Sequence, residues 1–289
     1  MLYRKKHIKS KISRIKPKRS VFGRLWFWLT LLSLAIIFTG FYLIFFYSGF
    51  QVKNILISGN SMTATQDLKN LVSDSANTGL VSFGNVKVFS RSIFLVNDQK
   101  IGIDILDKFP AIESVSVNKK IPNTLRLGVV ERNPLGVFCP SPNLAKPNDG
   151  GCYLIDSNGI IFEPLKVIPA NATIVRQIVK DSQVFPGKDV VARSTMSAIY
   201  KIQKNLKDNF TIDLKEALIT SPVRLDVKTS ENWKIYFDLD TGSNIDSQLM
   251  RLGLLLNGGI SPETRKNLRY VDLRPKDRAI ICDNKVCGG

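Results

Sequence analysis

Uncharged, mostly apolar residues run from Leu25 to Tyr47, LWFWLTLLSLAIIFTGFYLIFFY, before the chain settles into alternating and helical patterns. At about 1.5 Å per residue, this run predicts a helix of about 34 Å, enough to cross a hydrocarbon core of about 30 Å. Trp26, Trp28, Tyr42 and Tyr47 lie toward its ends, where amphipathic rings favour the headgroup zone. Beyond it, Phe50 to Ser58 alternates Val52, Ile55 and Ile57 with polar residues and predicts a strand. Thr63 or Thr65 is expected to cap a short helix with Leu68, Leu71 and Val72 on its inner face. Ser73 to Lys87, rich in Ser, Asn and Gly, reads as loop. A second helix is expected over about Asn97 to Lys108, ended by Phe109-Pro110. Strands Ile112–Lys119 and Thr124–Glu131 follow, joined by the turn KIPN.

After Asn133-Pro134, short strands recur at Leu135–Phe138, Tyr153–Asp156 and Ile160–Phe162. Val167 to Gly187 reads as a connection, and Asp189 as the cap of a helix running to about Asp208. Strands are then expected at Leu214–Thr220, Val223–Thr229 and Trp233–Leu239. A helix at Ile245–Leu256 is stopped by Gly258-Gly259, and final strands are expected at Leu268–Leu273 and Arg278–Ile281. The fold class is α+β: one membrane helix, a β-α-α-β-β domain, then a strand-rich mixed-sheet domain with two helices.

Charge sets the orientation. Met1 to Arg24 carries ten Lys or Arg and no acid, and such residues beside a span stay in the cytoplasm. The N-terminus is therefore expected inside, with everything after Phe50 outside. A cleaved signal peptide would need an apolar region of only about 7–15 residues and a small-residue cleavage site, so the run reads as an uncleaved anchor. The net charge of +17 is concentrated in the tail; beyond it, 31 basic residues face 24 acidic ones, leaving +7. That is no nucleic-acid footprint, and the tail's charge suits orientation and anionic membrane lipid.

The four cysteines form two sequence-local pairs, Cys139 with Cys152 and Cys282 with Cys287, expected as disulfides outside the cytoplasm. Their spacing does not suit zinc. The single histidine, His7, lies in the tail, which leaves the ectodomain without a Ser-His-Asp or Cys-His site. ISGNSMTAT resembles the Ser-Met box of type I signal peptidases, with Ser61 as nucleophile and a desolvated lysine as base. The proline expected there is replaced by Ala64, and a turn leading into a helix is the plainer reading. Asp238 and Asp240 share a strand face and read as solvated strand-end carboxylates rather than an acid-base pair. Trp233, Tyr236 and Phe237 read as residues that pack or sit at the sheet surface rather than as an aromatic ligand platform, and the sequons at Asn171 and Asn209 matter only in a eukaryotic secretory protein.

The ordered features resemble the FtsQ/DivIB family of bitopic bacterial division proteins. FQVKNILISGN looks like the first strand of a POTRA domain, and FPAIESVSVNKKIPNTLRLGVVERNPLGVF like its closing hairpin and exit. YLIDSNGIIFEP and LRYVDLR are similar to the first hairpin and near-terminal strand of the family's β-domain. The resemblance implies a POTRA-like domain over 50–133, a β-domain over 134–281 and a tail over 282–289. It also implies a non-enzymatic divisome scaffold at the plasma membrane and septum, without cofactor, metal or small-molecule substrate. Implied partners are FtsB/DivIC-like and FtsL-like coiled-coil proteins at the β-domain edge, and other divisome proteins at the POTRA-like domain. Carried onto this chain, the partner contact falls on Arg274, Asp277, Arg278, Ala279, Ile280 and Ile281. Pro275 departs from the family pattern there.

Overall fold

The computed structural model describes residues 25–83, 86–141, 151–178, 184–240, 242, 244–283 and 287. The tail 1–24, and most of the loop closed by Cys139 and Cys152, lie outside them. The chain divides into two compact units, residues 1–54, 77–96 and 120–124 in one, the rest in the other.

The first unit begins with α1 (Leu25–Phe46), which buries no residue and is long and apolar enough to cross a membrane. Its hydroxyls turn back onto its own carbonyls: Thr30 donates to Phe27 O at 2.8 Å, Ser33 to Thr30 O at 2.9 Å and Thr39 to Ala35 O at 2.8 Å. A helix in lipid needs this internal satisfaction. A 3-10 turn (Ser48–Phe50) and an antiparallel pair, β2 (Thr78–Phe83) with β3 (Val86–Ser90), follow. Here the structure corrects the loop expected over Ser73–Lys87, whose residues 84 and 85 are not described. Gly79 and Ser82 interrupt the apolar alternation, so pairing between the two segments, not periodicity, makes these strands.

The second unit starts with all but the end residues Asn54, Lys120 and Thr124 of β1 (Asn54–Ser58), β4 (Ile112–Lys120) and β5 (Thr124–Glu131), a three-stranded sheet in the order β1-β5-β4. Two helices accompany it, α2 (Thr65–Ser75) burying Leu68 and Val72, and α3 (Asp98–Lys108) burying Ile101 and Ile105. Asn97 caps α3 through Lys100 N at 3.0 Å. The cap expected of Thr63 or Thr65 is not made: Ala64 holds the cap position. Asn60 explains this, because its amide donates to Thr63 O at 2.8 Å and Thr65 Oγ1 at 2.9 Å, organising the turn from outside the helix.

The remaining strands build one nine-stranded sheet, β14-β13-β12-β11-β10-β9-β6-β7-β8. They are β6 (Pro134–Ser141), β7 (Cys152–Asp156), β8 (Ile161–Leu165), β9 (Ile174–Ile178), β10 (Leu214–Ser221), β11 (Arg224–Thr229), β12 (Lys234–Asp238), β13 (Leu268–Asp272) and β14 (Ile280–Asp283). The sheet is mixed. β9 runs parallel to both β6 and β10, and β12 parallel to β13. The parallel pairs β9–β10 and β12–β13 are joined by helical crossovers, α4 (Arg193–Phe210) and α5 (Ile245–Gly258), whereas β6 reaches its parallel neighbour β9 through β7 and β8. α4 buries Met196, Ile199, Ile202 and Leu206, and α5 buries Leu249, Leu252 and Leu256, in a core that also holds Trp233, Phe237 and Phe138. A short α6 (Pro262–Arg265) is a third helix of this region, where two were expected.

Other expectations also change. Val167–Gly187 contains β9, flanked by β6 and β10. Asp189 does not cap α4; it bridges Ile160, and Gly159 O accepts from Val190 N at 2.9 Å. Gly159 has φ +84, and a Cβ there would strike Val191 O, so only glycine lets these segments meet.

Arg132 ties the small sheet to the large one. Its Nη1 donates to Asp156 Oδ2 at 2.7 Å and its Nε to Pro110 O at 3.0 Å. Asp156 is buried at the end of β7, and its other oxygen accepts from Asn158 N and Ile160 N, both at 2.9 Å. Removing the guanidinium strands a buried carboxylate. Arg132→Ala is expected to cost about 3–5 kcal/mol, read from urea unfolding of the full chain in detergent by the fluorescence of the core Trp233.

Candidate protein interaction edge

β14 closes one end of the large sheet, and among the described residues only β13 pairs with it. The pairing matches Asp272 with Ile280, Val271 with Ile281 and Tyr270 with Cys282. Registered partners share a sheet face, so Ile281 lies on the side of the buried Val271, and Ile280 on the opposite side. At the edge both remain open, Ile280 43% and Ile281 38% exposed. The strand is only four residues long, and the disulfide Cys282–Cys287 follows its end (Cα–Cα 5.6 Å). Arg269 Nη1 donates to Cys287 O at 2.9 Å. Cys139 and Cys152 are also joined (S–S 2.06 Å), linking β6 to β7.

On the face carrying Ile280, register relates Asp272 to Tyr236 and Tyr236 to Asp226. Arg274 grips Asp272 with two guanidinium bonds, Nε to Oδ1 at 2.9 Å and Nη2 to Oδ2 at 2.6 Å, and its N–H adds a third at 3.0 Å. Arg224 grips Asp226 the same way, at 2.7 and 2.9 Å. Both guanidiniums reach the Tyr236 ring, 5.0 Å for Arg224 and 5.5 Å for Arg274, and the Tyr270 ring lies beside it, tilted by 39° at 5.2 Å. Burial raises the Asp272 carboxyl, but the Arg274 bonds outweigh it and leave the group below its ordinary pKa. The same bond to Asp272 raises Arg274. Burial, then Asp226, pushes the Tyr236 phenol up, so it stays protonated. The result is a planar, half-buried patch of paired charges and tyrosines leading to the open strand.

The six residues named for partner contact do not form one strand. Arg274 to Ala279 form the loop before β14, and the strand begins at Ile280, not Arg278. Arg251 of α5 accounts for the change. It donates to Leu273 O at 2.8 Å, to Arg278 O at 3.0 Å and to Pro275 O, fixing the loop's carbonyls outside any ladder. Ala279 packs on the core, whereas Asp277 and Arg278 are exposed. Arg251, Arg224 and Tyr270 were not singled out from sequence, and Tyr236 was named there only beside Trp233 and Phe237. The alternation RLDVKT in β11 was the signal available for Arg224; Arg251 left none, because its partners are backbone atoms.

Ser61 stands in a different setting. Its hydroxyl donates to Glu131 Oε2 at 2.7 Å, its N–H and that of Met62 reach the same oxygen at 2.8 Å, and Thr63 N reaches Oε1 at 2.7 Å. Desolvation raises the Glu131 carboxyl, yet these four bonds prevail and hold it at about 2. A carboxylate so acidic is a weak base, and among the described residues no lysine bonds to Ser61. The arrangement latches the turn to β5. Asp238 and Asp240 line a cleft of about 980 Å³ beside α4 and α5, where Asp240 N donates to Asp238 Oδ1 at 3.0 Å. Trp233 and Phe237 are core residues. Asn171 and Asn209 are exposed.

Residues 84–132 match the family model described as POTRA domain, FtsQ-type. This domain and the N-terminal apolar helix fit an FtsQ/DivIB-like bitopic protein. No curated protein matches the chain.

Two outcomes test these local assignments. Glu131 is depressed in the folded state, so its contribution is full above about pH 4.5 and fades as pH falls toward about 2. Glu131→Gln is expected to lower stability by roughly 1–2 kcal/mol at neutral pH, discounted for solvent screening, with the difference closing between those limits in urea titrations. Arg251→Ala is expected to speed amide exchange over residues 274–279 by about tenfold or more while leaving the α5 core protected.

Proposed function

We propose that the chain is a membrane-anchored, non-enzymatic scaffold of the bacterial division machinery, with its C-terminal sheet edge as a docking strand. The FtsQ-type POTRA match supports a division-related scaffold family, and the single apolar helix a one-pass anchor with a C-terminal domain. In this reading the basic tail is cytoplasmic, the rest is extracytoplasmic, and the protein works at the septum. The domains are a POTRA-like one over 50–133 and a β-domain over 134–281. The observation that carries the docking proposal is β14: a terminal strand with two open isoleucines, flanked by a rigid loop and a patch of paired charges.

The mechanism is strand addition. An extended segment of an FtsB/DivIC-like partner, itself bundled with an FtsL-like chain, hydrogen-bonds to the free edge of β14, and its side chains cover Ile280 and Ile281. An acidic or amide group on that segment reaches Arg274 or Arg278. Tethering to one membrane raises the effective concentration of such partners, so a short interface suffices. Other division proteins are assigned to the POTRA-like domain. The paired cysteines, Cys139 with Cys152 and Cys282 with Cys287, brace β6 to β7 and the end of β14.

Ile280→Lys places a charge on an exposed edge position at little cost to the fold. Arg274→Glu sets two carboxylates side by side and reverses the patch. Both are expected to reduce recovery of the coiled-coil partner in pull-downs by about tenfold or more; Ile280→Lys leaves the urea midpoint unchanged, whereas Arg274→Glu lowers it by leaving the buried Asp272 carboxylate unpaired, with circular dichroism verifying that it still folds. Undiminished recovery from both folded variants rejects this edge as the docking strand.

A further inference from the structure

The end of α1 is capped by the chain that returns to it. Ser92 Oγ donates to Ile44 O at 2.5 Å and Ser90 Oγ to Phe45 O at 2.6 Å, with Gln51 Nε2 reaching Phe45 O at 3.3 Å. Ser90 and Ser92 are buried, so these bonds are shielded from water. Backbone bonds reinforce them: Ile93 N donates to Phe50 O at 2.9 Å, and Val52 N to Arg91 O at 3.0 Å. The last helical carbonyls, orphaned by geometry, are thus satisfied by a separate segment. That segment is held level with the end of the apolar helix.

What it exposes there is specific. Arg91 and Phe94 point outward, Phe94 45% exposed, while Ser92, Ile93 and Val96 are buried. Tyr47, Phe50 and Phe94 make an edge-to-face chain, with centroids 5.6 and 5.2 Å apart. The turn 120–124 joins the same unit through Asn123 O, which accepts from Lys53 N at 2.9 Å and Asn54 N at 3.2 Å. At this turn Ile121 is 62% exposed, beside Lys120.

Charge is sorted in the same way. Residues 48–54, 77–96 and 120–124 contain Lys53, Lys87, Arg91 and Lys120 and no Asp or Glu; all 24 acidic residues lie in the other unit. An aromatic and aliphatic surface with cations alone, fixed at the end of an apolar helix, matches the headgroup layer of an anionic leaflet. We propose that this surface docks on the anionic phospholipid headgroups of the leaflet where α1 ends. Lys53, Arg91 and Lys120 meet the phosphates, while Phe94 and Ile121 enter the interface. The docking holds the base of the first unit against the membrane instead of leaving it on a free stalk. It rests on reading α1 as a span.

The test uses the full chain reconstituted in vesicles, with Ile121→Cys carrying an environment-sensitive fluorophore. Resistance of the protein to alkaline carbonate extraction checks the span separately. In vesicles containing about 30% phosphatidylglycerol, the label is expected to shift to shorter wavelength and be quenched by lipids brominated near the carbonyls. In pure phosphatidylcholine, in about 0.5 M salt, or with Lys53→Glu, Arg91→Glu and Lys120→Glu combined, quenching is expected to fall at least about fivefold. The three substituted residues are exposed, and circular dichroism verifies that the variant folds. A label that stays aqueous in anionic vesicles, or quenching equal in both lipids or in the reversed variant, overturns the proposal while the span stands. Extraction by carbonate removes the span and the proposal together.

Discussion

The ion pair between Arg132 and Asp156 is the constraint on which the second unit is built. Its carboxylate is buried at the end of β7, where a charge is tolerated only with full hydrogen bonding. The guanidinium supplies one bond, and the N–H groups of Asn158 and Ile160 complete the set. One residue earlier, Glu131 has the opposite task. Successive side chains of a strand point to opposite faces, so Glu131 reaches the turn at 61–63 while Arg132 reaches Pro110 and Asp156. Two adjacent charged residues at the end of β5 thereby secure the turn before α2 and the start of the large sheet.

From that joint outward, the large sheet solves a familiar problem. Its inner face is closed by α4 and α5, which also carry the crossovers from β9 to β10 and from β12 to β13. Its end at β14 is left open but kept short. Arg251 belongs to both halves of this solution, since it sits on α5 and holds the carbonyls of the loop leading to β14. The edge is therefore presented by the core rather than by a loose terminus. This suits a docking strand, because a preorganised edge loses less entropy when a partner adds to it.

The separation of charge gives the two units different surfaces. The one containing α1 has cations and aromatic rings, while the carboxylates are confined to the one containing the nine-stranded sheet. Ion pairs follow the same division: those between Arg132 and Asp156, Arg176 and Glu216, and Arg274 and Asp272, among others, lie in the second unit. A mixed-charge surface keeps a domain soluble and selective toward protein partners, whereas a purely cationic one beside an apolar helix favours lipid.

Much of this was legible along the chain. The uncharged run could only be a long apolar helix, and the helix faces of α3, α4 and α5 are written in Ile101, Ile199 and Leu252 at helical spacing, all of them buried. The alternations of β5, β11 and β12 likewise named their buried residues, because side-chain periodicity encodes which face meets the core. It does not encode which strand lies alongside. β9 was hidden in an irregular stretch until β6 and β10 flanked it, and β2 and β3 exist only through each other. Arg278 looked like the start of the last strand, but Arg251, 27 residues earlier, fixed its carbonyl elsewhere. Sequence thus settled burial, a property each residue carries in its own chemistry. Tertiary structure alone settled neighbours and element ends, which depend on backbone groups and on residues far away in the chain.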